Sequence, residues 1–530
     1  MLFTSYQFII FAIAVLVLYY VVPKKAQWPL LLVSNYIFYA LCGLKYLPFI
    51  FTTTVIVYFA GIWIGKIQKN TDEYVTAHKK ELSRDERKAY KAGQKKKTKT
   101  VMVIALLMCL GILAVLKYTN FVIGNVNSIM HAFGSEKTLN LANLILPMGI
   151  SFYTFQSLGY LIDVHRGKYE PEKNPFKFAL FVSFFPQLVQ GPISRFDHLA
   201  KTLFERHSFD WAVVSRGLQR VLWGYFKKMV IADRMIIGVK TLIGAPDTYN
   251  GAYVFFGMLF YALELYADFT GGIDITIGLA EAMGITVTEN FIRPYFSKNI
   301  KEYWNRWHIT MGSWFTDYIF YPISVSKGML NISKFSRKHF GEQIGKRVPV
   351  YLSAFTVWFA TGIWHGASWN FIVWGLGNFV VIMISQELDP LFEKFRNRFP
   401  KLSASRGFDG FRVIRTILLM SSLRMFDCYR NVPMTFKMFG SMFSVMNVKT
   451  AVPGLMEIGL SVKDYIILFA GFVILLTVSL VQRKGSVRDR IVKIPLFVRA
   501  FMWFALFLIV VLFGAYGIGY DASQFIYNQF

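Results

Sequence analysis

Apolar runs long enough to cross a lipid bilayer recur along this chain. A helix needs about 17–25 residues to span roughly 30 Å of hydrocarbon, and Phe3–Val22 and Val101–Leu116 are early candidates. Hydrophobic residues fill 55% of the 530 positions and mean hydropathy is +0.42, which is too apolar for an ordinary soluble protein. The sequence therefore predicts an all-α polytopic membrane protein, a single domain over residues 1–530, with roughly ten to twelve transmembrane helices.

The net charge of +27 is concentrated in short segments between the apolar runs, above all in residues 66–100. Cytoplasmic loops carry the excess of Lys and Arg in membrane proteins. We therefore expect 66–100 to be a basic cytoplasmic loop, and Lys24 and Lys25 to close the first span on the same side, with the N-terminus outside. The basic segment has few aromatic side chains for stacking on bases, so the expected partner is the lipid bilayer and not nucleic acid.

Trp364-His365-Gly366 places an imidazole between two apolar segments. Ionisable residues inside a membrane are rare and are functional candidates from the start. If the flanking basic stretches are cytoplasmic, Val348–Gln386 is a hairpin whose ascending limb of about 15 residues rises roughly 23 Å, which carries His365 into the outer half of the membrane. Gly366 permits close approach of another group, so the site is either a substrate channel or a helix break capped by the histidine.

A second histidine, His308, lies in the aromatic-rich segment Glu302–Met311. Apolar residues recur at helical intervals from Trp304 to Tyr318, and His308 falls on their face, which predicts a helix. The imidazole either makes one hydrogen bond in a packed interior or faces a cavity. Polar side chains flank it elsewhere on this helix, at Asn305, Arg306, Thr310 and Asp317.

A neutral imidazole suits proton transfer near physiological pH, because it takes a proton from a hydroxyl and returns it to a leaving group. The sequence has no G-x-S-x-G elbow and no recognisable Cys/His pair, so direct transfer assisted by histidine is simpler than a covalent intermediate. A metal held by the two histidines with Asp268, Asp274 or Asp317 is not expected, because no H-x-x-x-H or H-E-x-x-H pair occurs.

Two carboxylates, Asp268 and Asp274, stand in an apolar run and are separated by a Gly-Gly pair that we interpret as a flexible point. Charges buried in a membrane protein require partners. We expect these two to act as internal struts paired with Arg293, Arg306 or Lys298, in preference to a direct catalytic role.

Several motifs together resemble those of one family over nearly the whole chain. They are Met1–Ser5, Leu146–Gln156, Leu161–Gly167, Phe185–Ile193, Tyr266–Gly271, Asn290–Tyr295, Trp304–His308, Trp364–Gly366, Gly519–Ala522 and Phe525–Ile526. With its two histidine motifs in this order, the chain resembles the bacterial membrane-bound O-acyltransferases (MBOAT), specifically the branch that acetylates alginate.

The resemblance implies tilted helices around a central tunnel in the bacterial inner membrane, with an active-site segment over residues 290–386. A cytoplasmic thioester, acetyl-CoA or another acyl donor, would supply an acyl group to an exported polysaccharide, with no bound cofactor. His365 would be the principal base and His308 would orient the substrate or share the proton. An extracytoplasmic partner similar to SGNH hydrolases would complete the transfer. The expected tunnel residues are Trp304, Arg306, Trp307, Asp317, Trp364, Gly366 and Asn370.

One position departs from the family pattern, because Thr316 stands where relatives commonly carry a cation. Donor contacts would then come from Arg306 or from the loop near Lys327. Two alternatives stay open. One is transfer of D-alanine from an acyl carrier protein to teichoic acid, as in related family members. The other, from a different class, is a polysaccharide exporter or flippase, which would tolerate the loss of imidazole basicity.

Overall fold

The computed structural model describes residues 3–516, which fold almost entirely into helices. These residues contain no β-strand, and a single backbone bridge pairs Phe291 with Trp307. Two π-helical segments interrupt the α-helices, at Phe226–Ala232 and Thr316–Phe320. The motif residues Met1 and Leu2, and the tail motifs Gly519–Ala522 and Phe525–Ile526, lie outside the described residues.

The α-helices are α1 Tyr6–Val21, α2 Gln27–Cys42, α3 Leu47–Ala77, α4 Arg84–Ala132, α5 Ile150–Arg166, α6 Pro175–Ser183, α7 Phe185–Leu188, α8 Phe196–Leu203, α9 Trp211–Tyr225, α10 Asp233–Gly244, α11 Ala252–Ala282, α12 Ile300–Arg306, α13 Ile309–Phe315, α14 Tyr321–Ser324, α15 Lys327–Phe340, α16 Glu342–His365, α17 Trp369–Glu387, α18 Asp389–Arg398, α19 Pro400–Ser403, α20 Arg406–Tyr429, α21 Val432–Ser444, α22 Val448–Gly454, α23 Val462–Gln482, α24 Val487–Ile491 and α25 Leu496–Phe513.

Six of the helices are long and apolar enough to span a bilayer, and α1 is a shorter apolar helix. The six are Leu44–Ala77, Arg84–Ala132, Ala252–Ala282, Trp369–Glu387, Val462–Gln482 and Leu496–Phe513. The chain is therefore an all-α, multi-pass membrane protein. Within residues 3–516 this number is below the expected roughly ten to twelve spans. Among the other helices, α2 has 16 residues, and α16 and α20, with 24 residues each, carry several charges.

The basic segment 66–100 is mostly helical, whereas the sequence predicted a loop. Helix α3 continues to Ala77 and α4 starts at Arg84, so only a short turn separates them. Ser83 ends that turn with a capping box, in which its hydroxyl accepts from Glu86 N–H and the Glu86 carboxylate accepts from Ser83 N–H. Most lysines and arginines of this segment therefore lie on two helix extensions, and Lys79 and Lys80 lie in the turn between them.

The span predicted as a single membrane domain groups into two compact units by its internal contacts. The first unit comprises Ser5–Val214 and Ala280–Thr288. A buried amide in α2 joins its segments, because Asn35 donates to the Ser183 hydroxyl at 3.2 Å and accepts from Phe185 N–H at 3.0 Å. These bonds satisfy a polar group that is otherwise costly to bury.

Among the described residues, the second unit comprises 3–4, Ser215–Leu279 and 289–516, and it contains both candidate histidines. Helices α16 and α17 form the hairpin predicted for Val348–Gln386. Their backbones approach closely through two glycines: a Cβ at Gly362 would lie 2.6 Å from Phe371 O, and one at Gly375 would lie 2.5 Å from Trp358 O. This close crossing fixes the end of α16, where His365 lies.

Candidate active site

His308 occupies a break between two helices. Helix α12 ends at Arg306 and α13 begins at Ile309, with His308 in the left-handed region at φ 49° and ψ 54°. The backbone of Asn290–Arg293 pairs with this break, since Ile292 N–H donates to Arg306 O and Ile309 N–H donates to Asn290 O, both at 3.0 Å. The helix predicted across His308 is therefore interrupted, because these pairings replace helical hydrogen bonds.

The imidazole of His308 is fully buried and its tautomer is defined by Asn290. Nδ1 of His308 lies 3.2 Å from Asn290 Oδ1, which also accepts from the N–H and hydroxyl of Thr310 at 3.1 and 2.9 Å. Because the Thr310 N–H is a donor only, the Asn290 atom that faces it must be the oxygen. Nδ1 of His308 therefore donates, and in the neutral ring Nε2 is the basic nitrogen.

His365 is the last residue of α16 and is 4% exposed. Gly366 follows the helix and has an extended backbone. Any residue can adopt this conformation, so the backbone itself does not require glycine here. The close approach predicted at Gly366 is made by Phe371, since a Cβ there would lie 2.2 Å from the ring. Phe371 also stacks on the His365 imidazole at a centroid distance of 6.4 Å.

Trp364 brings the two histidines into one site. Its indole centroid is 5.9 Å from that of His308 and 4.9 Å from that of His365. The enclosure continues through Trp374, which lies 4.6 Å from His365 and 5.8 Å from Trp304. The predicted pairing of the two histidines in an aromatic site is therefore seen in the structure.

A buried ion pair closes this enclosure, and sequence reasoning missed it. Arg424 and Asp427 of α20 lie 2.7 Å apart and are 4% and 3% exposed. The guanidinium carbon is 4.8 Å from the centroid of Trp374, 5.2 Å from Trp307 and 5.8 Å from Trp304. The sequence does carry a signal for it, because an Arg and an Asp three positions apart in an apolar helix can pair with each other on one face.

The remaining predicted tunnel residues have different positions. Asn370 is buried and donates to Phe426 O at 3.1 Å, which joins α17 to α20 beside the ion pair. Arg306 is bonded to Glu302 at 2.6 Å, and Asp317 is exposed on the π-helical segment. The Thr316 hydroxyl donates a hydrogen bond to Gly312 O at 2.8 Å. Of the three predicted tunnel residues Arg306, Asp317 and Asn370, Asn370 alone is buried with the aromatic enclosure.

The predicted partners of the two aspartates are wrong. Asp268 pairs with Lys228 at 2.6 Å, and Asp274 pairs with Lys227 at 2.6 Å and with Arg220 at 2.8 Å. Both lysines belong to the π-helical segment Phe226–Ala232, which presents consecutive side chains to α11. The role as internal struts is consistent with these contacts.

The basic residues that were expected to pair with Asp268 and Asp274 have other contacts. Lys298 pairs with Asp409 at 2.7 Å. The Gly-Gly pair is not a flexible point, since α11 is continuous and a Cβ at Gly271 would lie 2.9 Å from Gly224 O. Gly271 serves close packing of α11 against α9. Within residues 3–516, no three His, Cys, Asp or Glu side chains converge as a metal site would require.

The site is thus a pair of buried imidazoles, one with a defined basic nitrogen, in an aromatic enclosure of a polytopic helical protein. Such a site suits proton transfer on a substrate held out of water. The family model described as MBOAT, membrane-bound O-acyltransferase family, matches residues 172–426, which include His308, His365 and Arg424.

Curated relatives agree with this match. A probable alginate O-acetylase of Pseudomonas syringae pv. tomato is 30% identical over 446 residues, 84% of this chain and 75% of the relative. A peptidoglycan O-acetyltransferase of Helicobacter pylori is 28% identical over 73% of this chain and 70% of the relative. A teichoic acid D-alanyltransferase of Bacillus subtilis is 28% identical over 50% of this chain and 64% of the relative.

The chain belongs to the membrane-bound O-acyltransferase family, and it is an O-acyltransferase. The family resemblance and the enzyme class predicted from the motifs are confirmed. The alternative of a polysaccharide exporter or flippase is set aside, because the relatives named above are transferases.

Proposed function

We propose that this enzyme transfers an acetyl group from a cytoplasmic thioester, acetyl-CoA in the simplest case, to a hydroxyl of an exported cell-surface polysaccharide or of a partner transferase that passes it on to the polysaccharide. The observation that carries this proposal is that the imidazoles of His308 and His365 both contact the indole of Trp364. Relatives named as acetyl transferases to glycans match 73–84% of this chain.

In the proposed reaction, His365 is the general base. The acceptor hydroxyl oxygen attacks the thioester carbonyl carbon while its proton passes to the imidazole. The tetrahedral intermediate then expels the thiolate by breaking the carbon–sulfur bond, and the imidazolium returns the proton to that sulfur. His308, with Nδ1 donated to Asn290, offers Nε2 to hold the acceptor hydroxyl or to share the proton.

Charge that develops on the carbonyl oxygen needs a donor in a water-poor site. The indole N–H of Trp374 is buried beside His365 and has no acceptor within residues 3–516. We assign Trp374 as that donor. Arg424, held by Asp427 over the Trp374 ring, adds a fixed positive charge to the same region.

Transfer of D-alanine from an acyl carrier protein is the competing function. Its relative from Bacillus subtilis matches 50% of this chain, against 84% for the alginate O-acetylase relative. To separate the two, proteoliposomes of the purified enzyme are supplied with labelled acetyl-CoA or with labelled D-alanyl carrier protein, together with polysaccharide. Incorporation from acetyl-CoA supports acetyl transfer, and incorporation from the carrier protein alone refutes it.

The enzyme's orientation in the bacterial inner membrane is part of the same proposal. The positive-inside rule supports a cytoplasmic location for the basic segment 66–100 and an external N-terminus. After replacement of the three native cysteines, Trp369→Cys, next to the active site, should react with an impermeant label from outside. Lys484→Cys, in the basic turn after α23, should react only once the cytoplasmic face is opened, and the reverse pattern would overturn the orientation.

A partner at the outer face is expected to complete the transfer. By its chemistry it would be a hydrolase-like transferase of the SGNH type that takes the acyl group and passes it to the polysaccharide. Its gene should lie next to that of this enzyme. If the purified enzyme acetylates polysaccharide at full rate without that protein, the polysaccharide is the direct acceptor.

A further inference from the structure

A cavity of about 790 Å³ lies in the second unit, and Phe291, which lines it, stacks on His308 at a centroid distance of 6.5 Å. Its walls come from α9, α11, α23, α25 and the turn that leads into α24, and neither His308 nor His365 lines it. Its volume is in the range of cavities that bind small molecules. The function proposed above assigns no role to this space.

One end of the cavity is basic. Arg220, Lys227, Arg293 and Arg488 line it, with two carboxylates, Asp274 and Glu289. Both carboxylates are already neutralised, because Arg220 bonds Glu289 at 2.5 Å and Asp274 at 2.8 Å, and Lys227 bonds Asp274 at 2.6 Å. An excess of positive charge therefore remains at this end.

Arg293 supplies much of that excess. Its backbone is held in the left-handed region at φ 49°, and its guanidinium carbon lies 4.6 Å from the centroid of Phe296. Within residues 3–516 the guanidinium has no carboxylate partner, and its Nε is buried without an acceptor. A partly buried guanidinium of this kind is a ready donor to a phosphate group.

The other end of the cavity is apolar, and its side chains come from α23 and α25. Leu475 and Val478 of α23 and Met502 and Leu506 of α25 line it. Only 6% of helix α25 is buried within the protein, so most of its apolar surface is left for lipid. Trp503 also lines the cavity, and its indole N–H is buried without an acceptor in the described residues.

We propose that this cavity is a binding site for an anionic phospholipid, with its phosphate at Arg293 and an acyl chain between α23 and α25. The turn after Gln482 carries Arg483 and Lys484 and contributes Gly485 and Ser486 to the lining, and we place the head groups of one leaflet at this turn. Clusters of Lys and Arg at this depth attract anionic lipids. A two-carbon acyl group would leave the apolar end empty, which is why a membrane lipid, and not the thioester donor, is the occupant.

The test is thermal unfolding of the purified full-length enzyme in detergent, with added phosphatidylglycerol or with phosphatidylcholine of the same chains. A ligand that binds the folded state raises the melting temperature with concentration. Phosphatidylglycerol should stabilise the wild type more than phosphatidylcholine does. Arg293→Gln should weaken its apparent affinity about fivefold, the loss expected for one basic residue at an anionic surface, and Arg293→Lys should recover part of it.

Two further variants keep the test decisive. Leu506→Trp fills the apolar end and should reduce the lipid effect without a change of charge. Lys493→Gln removes an exposed charge from the same basic segment and should leave the lipid effect as in the wild type. Equal stabilisation by both lipids, or an unchanged effect in Arg293→Gln and Leu506→Trp, would overturn the proposal. So would stabilisation by acetyl-CoA alone that depends on Arg293, which would assign the cavity to the donor.

Discussion

Nδ1 of His308 and Oδ1 of Asn290 lie 3.2 Å apart, and this hydrogen bond selects the tautomer of a buried histidine. Asn290 belongs to a segment that pairs with the helix break at His308, and its oxygen is fixed by the N–H of Thr310. The ring therefore presents Nε2 as its basic nitrogen. A base or proton-sharing group needs such a defined orientation, because proton transfer requires hydrogen-bond geometry.

Replacing Asn290 tests this relationship. In Asn290→Leu the acceptor is lost and both tautomers become available, so we expect a large drop in kcat with little change in KM. Asn290→Asp keeps the acceptor and should retain more activity. The added negative charge favours the imidazolium of His308, so this ring needs a higher pH to lose its proton. The acidic limb of the pH–rate profile should therefore move to higher pH, and an unchanged limb in Asn290→Asp would argue that His308 does not titrate in the reaction.

Trp374→Phe removes the indole N–H beside His365 while keeping an aromatic ring. Loss of one oxyanion donor lowers kcat about 10²–10³-fold in enzymes that use one. We expect such a loss here, with KM nearly unchanged. Trp358→Phe is the matched control, because Trp358 packs on Trp304 at 4.9 Å and contacts the same cluster. Equal effects of the two substitutions would assign Trp374 to packing alone.

Breaking the Arg424–Asp427 pair should destabilise the protein. Asp427→Asn leaves a buried guanidinium without its carboxylate, which costs about 3–5 kcal/mol for buried pairs. Replacing both partners, as Arg424→Met with Asp427→Leu, should restore much of the stability. If the double variant melts like the wild type but transfers no acetyl group, Arg424 contributes charge to the reaction. If it is fully active, the pair is structural.

Gly366→Ala should strain the end of α16. The new methyl group would stand 2.2 Å from the Phe371 ring, and overpacking of this kind typically costs about 1–3 kcal/mol. The backbone at Gly366 is extended, so the cost comes from the ring and not from φ. Combining Gly366→Ala with Phe371→Leu should recover stability in a double-mutant cycle of melting temperatures. Simple additivity of the two losses would contradict this explanation.

Part of this site could be predicted from sequence. The hairpin around His365 follows from a charged boundary, an apolar run and a glycine break, which are all local signals. The association of His308 with His365 came from the family motifs and from their shared aromatic setting. These features depend on residues close in sequence, or on a pattern that relatives repeat.

The ion pairs could not be predicted in the same way. Lys227 and Lys228 reach Asp274 and Asp268 because a π-helical segment directs both side chains toward α11. The regular spacing of an α-helix, 3.6 residues per turn, does not predict such a segment. The break at His308 depends on backbone pairing with Asn290–Arg293, which is a tertiary contact. In both places, contacts between distant segments override the local pattern.

The most direct test of the central claim is the rate of labelled acetyl transfer from acetyl-CoA by purified enzyme in proteoliposomes. His365→Ala and His308→Ala are compared with wild type and with His339→Ala, an exposed histidine of α15, all at matched melting temperature and insertion. The account predicts that both active-site variants lose transfer while His339→Ala keeps it. Normal transfer by His365→Ala and His308→Ala would contradict histidine-assisted acyl transfer at this site.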